Sequence, residues 1–147
     1  MYAVKAVVIL SSPLITVETS GECSMNKRRD ILIVEDDYLQ SYVLELHLKS
    51  LNYNVIGVAV SGEEAIAMAK KYMPHIVILD ISLKGELDGI DTAKIILKSY
   101  DISIVYISGH LEEYCRTRAE QTNYIDIINK PFCKSKLSDA IEKCFTH

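Results

Sequence analysis

The stretch His75-Ile76-Val77-Ile78-Leu79-Asp80 runs four branched aliphatic residues directly into a single carboxylate. Pro74 precedes it, and Gly85 and Gly89 follow soon after. An apolar run of this length between turn-formers predicts a strand covered on both faces, as in a parallel sheet. In open α/β sheets the carboxyl ends of such strands border the ligand crevice, so Asp80 is expected where chemistry occurs.

Asp30-Ile31-Leu32-Ile33-Val34 is a second run of the same kind, and it ends in Glu35-Asp36-Asp37. Leu39, Val43 and Leu46 then recur at helical spacing, and Leu44, Leu48 and Leu51 form another such row, which predicts a helix with a broad apolar face to about residue 51. Asp37, with Gln40 three residues on, reads as its N-cap. Residues 55–60 read as a strand. Ser61 and Glu64 form a capping box for a helix over 62–73, which Pro74 stops.

Beyond Asp80 a glycine-bearing loop leads to Asp88, the expected N-cap of a helix carrying Ile90, Ala93, Ile96 and Leu97 up to Tyr100. Residues 102–107 form a strand ending at Ser108-Gly109-His110, and a weaker helix covers 111–121. A fifth strand over 125–128 ends at Asn129-Lys130-Pro131-Phe132. The last helix, 135–145, has Leu137, Ala140, Ile141 and Cys144 as its apolar face. Five strands alternating with five helices predict one α/β domain: a doubly wound parallel sheet with right-handed crossovers.

At 147 residues and 49% hydrophobic content the chain can bury a core of single-domain size. The net charge of −4, with scattered Lys and Arg, argues against a nucleic-acid module. Cys23, Cys115, Cys133 and Cys144 form no CxxC pair or zinc-site spacing, and they read as free thiols of a reducing, cytoplasmic compartment. No stretch reaches the ~18 consecutive apolar residues of a membrane helix.

Residues 3–17 are apolar with Lys5 near their start, a partial imitation of a signal peptide that Pro13 and two serines interrupt. Met25, followed by Asn26-Lys27-Arg28-Arg29, is the expected functional start. Residues 1–28 are then an extension or an upstream start, and 29–147 the folded domain.

The strand ends gather Glu35 and Asp36, Asp80, Ser108 and Lys130 at one edge of the sheet. Three crowded carboxylates repel unless a cation neutralises them, and oxygen-only ligands favour a hard ion such as Mg²⁺. A lysine and a hydroxyl beside them suit phosphoryl transfer, with a carboxylate able to act as the nucleophile. Taken singly, each has a plainer reading as a cap, a turn residue or a strand-to-helix junction, and Asp37 keeps that reading. Their coincidence at one edge carries the functional one. His47 and His75 are expected as surface or boundary residues, and His110 as a loop residue, either simply solvated or near the route of hydrolytic water.

In order and spacing, Ile-Leu-Ile-Val-Glu35-Asp36-Asp37, Ile-Val-Ile-Leu-Asp80, Asp88-Gly89, Ile-Ser108-Gly and Lys130-Pro131-Phe132 resemble the receiver domain of the two-component response regulator family, across roughly residues 30–145. The resemblance implies a flavodoxin-like sheet of order 2-1-3-4-5, with Asp80 as phosphoacceptor. It implies Mg²⁺ held by Asp36, Asp80 and the Ser82 backbone carbonyl, with Glu35 acting through water. Ser108 would be the switch hydroxyl, and Lys130 would pair with a phosphoryl oxygen. The implied partners are a histidine kinase or histidine phosphotransfer protein and an unidentified downstream protein, with no nucleic acid or membrane.

Because the chain stops about two residues after its last helix, a stand-alone, chemotaxis-regulator-like receiver is expected. It would be an enzyme only in catalysing its own phosphorylation and dephosphorylation. Two features depart from the family pattern. The interval from Asp80 to Asp88-Gly89 is one residue longer than in the chemotaxis regulator, and Ile127 stands where the family usually has its switch aromatic, with Tyr124 nearby but out of register. A phosphorylation-independent interaction module on the same fold is the alternative reading. A flavodoxin-like cofactor binder is disfavoured because Glu35-Asp36-Asp37 would repel phosphate. A hydrolase with an aspartyl nucleophile is disfavoured because Ser82 stands where a second carboxylate would be needed.

Overall fold

The computed structural model describes residues 29–146. The expected extension 1–28, the start at Met25 and Cys23 lie outside the described residues. The elements alternate as β1 (Asp30–Val34), α1 (Tyr38–Ser50), β2 (Asn54–Ala59), α2 (Gly62–Tyr72), β3 (Ile76–Asp80), α3 (Gly89–Ser99), β4 (Ser103–Ser108), α4 (Glu113–Glu120), β5 (Asp126–Asn129) and α5 (Lys134–Lys143). All strand pairs are parallel and the order is β2-β1-β3-β4-β5, as expected. β3 lies at the centre and is buried at all five positions, which accounts for its unbroken apolar run.

Side chains alternate across the sheet. Leu32, Val34, Val77, Leu79, Ile104 and Tyr106 share one core with residues of α2 and α3. Ile31, Ile33, Ile76, Ile78, Val105 and Ile107 share the other with residues of α1 and α5. The three expected N-caps form: Asp37 accepts from the Gln40 amide, Ser61 from Glu64 and Asp88 from Asp91. The Glu64 carboxylate also accepts from the Val60 amide, at 2.8 Å.

Helix α1 corrects the expected packing. Only the row containing Leu44 and Leu48 reaches the core, and Leu51 is the C-cap. Leu39, Val43 and Leu46 are 68%, 39% and 48% exposed, and Tyr38 and Tyr42 extend the same outward stripe. A helix lying on a sheet turns one side inward, so two apolar rows on opposite sides cannot both be buried by it. Helix α4 is the least anchored element: no side chain caps its start, and of its eight residues only Ala119 is buried.

Candidate functional site

Parallel strands in register bring their carboxyl ends to one edge, which is how residues far apart in sequence meet. Asp80 pairs across the sheet with Ile107, next to Ser108, which pairs in turn with Asn129, next to Lys130. Glu35 and Asp36 follow β1 on the other side of β3. Carboxylate oxygens of Glu35, Asp36 and Asp80 lie within 4.8 Å of one another. Glu35 and Asp80 are only 4% and 6% exposed, so little water screens their repulsion.

Lys130 supplies the compensation. Its Nζ donates to Glu35 Oε2 at 2.8 Å and to Asp80 Oδ2 at 2.9 Å. Three of the other oxygens are held by backbone amides: Ser82 N donates to Asp80 Oδ1 at 2.9 Å, Asp37 N to Glu35 Oε1 at 3.0 Å, and Lys84 N to Asp36 Oδ2 at 3.2 Å. Burial nevertheless pushes the Glu35 carboxyl up to about 7, with the Asp80 charge adding to the rise and Lys130 and the Asp37 amide opposing it. Burial disfavours the charged Lys130 ammonium, but its hydrogen bonds to Glu35 and Asp80 outweigh this and hold it above the ordinary lysine value.

Ser108 is fully buried, and its hydroxyl has no hydrogen-bond partner. A buried hydroxyl left unpaired is costly, and such a group commonly awaits a ligand or a second state. The donor set fits a hard cation, being all oxygen and mostly anionic. Ser82 itself is exposed and lies two residues past Asp80 at the start of the loop, and His110 is exposed. The outer stripe of α1 runs toward the site, where Leu39 and Val43 line an open groove with Lys130, Pro131 and Phe132.

Two sets of polar contacts, one partly exposed and one in the core, carry no signal in the sequence. The Arg118 guanidinium on α4 bridges Asp88 and Asp91 at the start of α3. Burial would raise the Asp88 carboxyl, but the Arg118 hydrogen bond and the Asp91 amide prevail and hold it below the ordinary range. Tyr106 is fully buried, its hydroxyl lies 2.9 Å from Thr122 Oγ1, and its ring centroid is 5.5 Å from that of Tyr124. Ile127 is half-buried against the same core. No helical or strand period signals a contact between Arg118 and Asp88, which are 30 residues apart.

A protein-family model described as the response regulator receiver domain matches residues 31–142. The chain is 32% identical over 120 residues to the chemotaxis protein CheY of Thermotoga maritima, covering 81% of this chain and 98% of that one. It is 28% identical over 127 residues to the phyllosphere-induced regulator PhyR of Methylorubrum extorquens, covering 86% of this chain and 47% of PhyR. The chain thus spans about half the length of PhyR and of several other curated relatives that it matches. Among solved structures, the CheX-CheY-BeF3-Mg+2 complex of Borrelia burgdorferi contains a chain that is 26% identical with a TM-score of 0.73, covering 79% of this chain and 88% of that one.

Proposed function

The chain belongs to the response regulator receiver domain family, and from that premise we propose that it accepts a phosphoryl group on the Asp80 carboxylate. The observation that carries this reading is the Lys130 ammonium held between Glu35 and Asp80, with the unpaired Ser108 hydroxyl at the same edge. The donor is a phosphohistidine of a kinase or phosphotransfer protein. An Asp80 oxygen forms the new P–O bond as the donor's P–N bond breaks, and the leaving imidazole nitrogen keeps the electron pair and takes up a proton. Lys130 is placed to pair with a phosphoryl oxygen, and Ser108 gains an acceptor for its idle hydroxyl. Glu35, Asp36, Asp80 and the Ser82 carbonyl are the residues that would hold Mg²⁺, which neutralises charge on the transferring group when bound.

The exposed apolar stripe of α1 beside the groove suits the helices of a donor. The output is altered binding to a downstream protein. No helix of the described residues is long and apolar enough to cross a membrane. As the compartment we propose the cytoplasm, on the ground of the receiver family and of cysteines without disulfide or zinc-site spacing. Its catalysis is confined to its own phosphorylation and dephosphorylation.

Incubation with acetyl phosphate and intact-mass measurement test the reading. Wild type is expected to gain the mass of one phosphoryl group when Mg²⁺ is present, and Asp80→Asn none. An equal gain in Asp80→Asn refutes the assignment. Glu35 must lose its proton to assist a cation, so Mg²⁺ affinity by calorimetry is expected to rise from about pH 6 to about pH 8. A flat profile would show that Glu35 is already ionised across that range or takes no part in the cation site.

A further inference from the structure

We propose that Arg118 couples Asp80 to α4: its guanidinium carries a phosphorylation-dependent shift of the β3–α3 junction to that helix. The proposal rests on Asp80 being the phosphoacceptor and concerns how the signal leaves it. The chain of contacts is short and stiff. Gly89, the first residue of α3, donates its amide to Ile81 O at 3.1 Å, and its Cα sits so close to the Asp80 carbonyl that a methyl group there would strike it. A displacement of the Asp80 backbone is therefore felt directly at Gly89, and so at Asp88.

Asp88 does two things at once. Its Oδ1 caps α3 through the Asp91 amide at 2.9 Å, and both its oxygens accept from Arg118. Arg118 Nη2, which donates to Asp88 Oδ1, also donates to Asp91 Oδ1 at 2.8 Å. The Arg118 side chain is 18% exposed, so these charge-assisted bonds are partly shielded from water. They hold a helix that has little else: α4 has no capping side chain and buries only Ala119.

A separate contact just past the same, C-terminal end of α4 ties it to the sheet. Thr122 bonds back to Ala119 O and pairs with the hydroxyl of Tyr106, which stands on β4 two residues before Ser108. New negative charge at Asp80 acts on the Gly89–Asp88–Arg118 side of this frame. A new partner for the Ser108 hydroxyl acts on the Tyr106–Thr122 side. Ile127 carries no polar group to serve as the link, whereas Arg118 and Tyr106 do. Helix α4 is the element whose population of positions both contacts bias.

Amide hydrogen exchange over residues 112–121, with and without acetyl phosphate and Mg²⁺, tests the coupling when intact mass is read on the same samples. Wild type is expected to change its α4 exchange on loading. Arg118→Met is expected to exchange about tenfold faster in α4 before loading, to take up the same phosphoryl mass, and to show no further change. Equal loading with a wild-type response in the variant overturns the proposal, as does a loaded wild type whose α4 does not respond. Absence of loading in wild type instead overturns the phosphoacceptor reading, and the coupling falls with it. Arg118→Gln, a second neutral replacement too short to bridge Asp88 and Asp91, serves if Arg118→Met folds poorly. A reduced α4 response supports the coupling, and a full one overturns it.

Discussion

Lys130→Met is expected to lower the stability of the native state by about 3 kcal/mol at pH 8 in the absence of divalent cations, because it leaves two buried carboxylates without their counter-ion. The effect should depend on pH in a defined direction. Glu35 is raised from 4.5 to about 7 in the folded protein, so the native state holds this proton more tightly than the unfolded chain does. Its contribution to stability is fully present below about pH 4.5 and is lost as pH rises through about 7. Without Lys130 the native carboxyl rises further and the loss continues to higher pH. The difference between wild type and variant, measured by urea unfolding, should hold steady from about pH 5 to about pH 6 and widen as pH rises through about 7 to about 8. A difference that stays constant through about pH 7 to about pH 8 would show that Lys130 does not compensate Glu35. The same substitution should slow phosphoryl uptake from acetyl phosphate by about 100-fold, the usual loss when a charged donor to the reacting centre is removed.

Gly89→Ala is expected to destabilise the fold by about 3 kcal/mol, although alanine is the better helix former. The added methyl would meet the carbonyl of Asp80 and the Cα of Ile81, both backbone atoms of the buried end of β3. Neither can rotate aside, so the sheet edge or α3 must move. Gly109→Ala provides the contrast: no heavy atom lies within 4 Å of a Cβ there, and its unfolding midpoint should stay close to that of wild type, within about 0.5 kcal/mol. Equal behaviour of the two variants in urea or thermal unfolding would contradict the close packing of α3 on β3. Because the collision is with Asp80 itself, phosphoryl uptake should also fall in Gly89→Ala and not in Gly109→Ala.

The amino-acid sequence by itself determined the alternation of strands and helices, the parallel sheet and the edge to which Glu35, Asp36, Asp80, Ser108 and Lys130 come. Those features rest on local signals. Runs of Ile, Val and Leu define the strands, caps such as Asp37, Ser61 and Asp88 define helix starts, and parallel register then sends every strand end to the same side.

The tertiary structure alone decided three further things. It selected Leu44 and Leu48 over Leu39, Val43 and Leu46 as the buried row of α1, because the sheet covers only one side of a helix that is apolar on two. It placed the Lys130 ammonium on both Glu35 and Asp80, so that one cation answers two buried charges. It also joined Arg118 to Asp88 and Asp91, and Tyr106 to Thr122, across chain separations that no periodic pattern spans. Periodicity reports the direction in which a side chain leaves its own element. Which partner it meets depends on how two elements are set against each other, and that is established only when the whole sheet and its helices have packed.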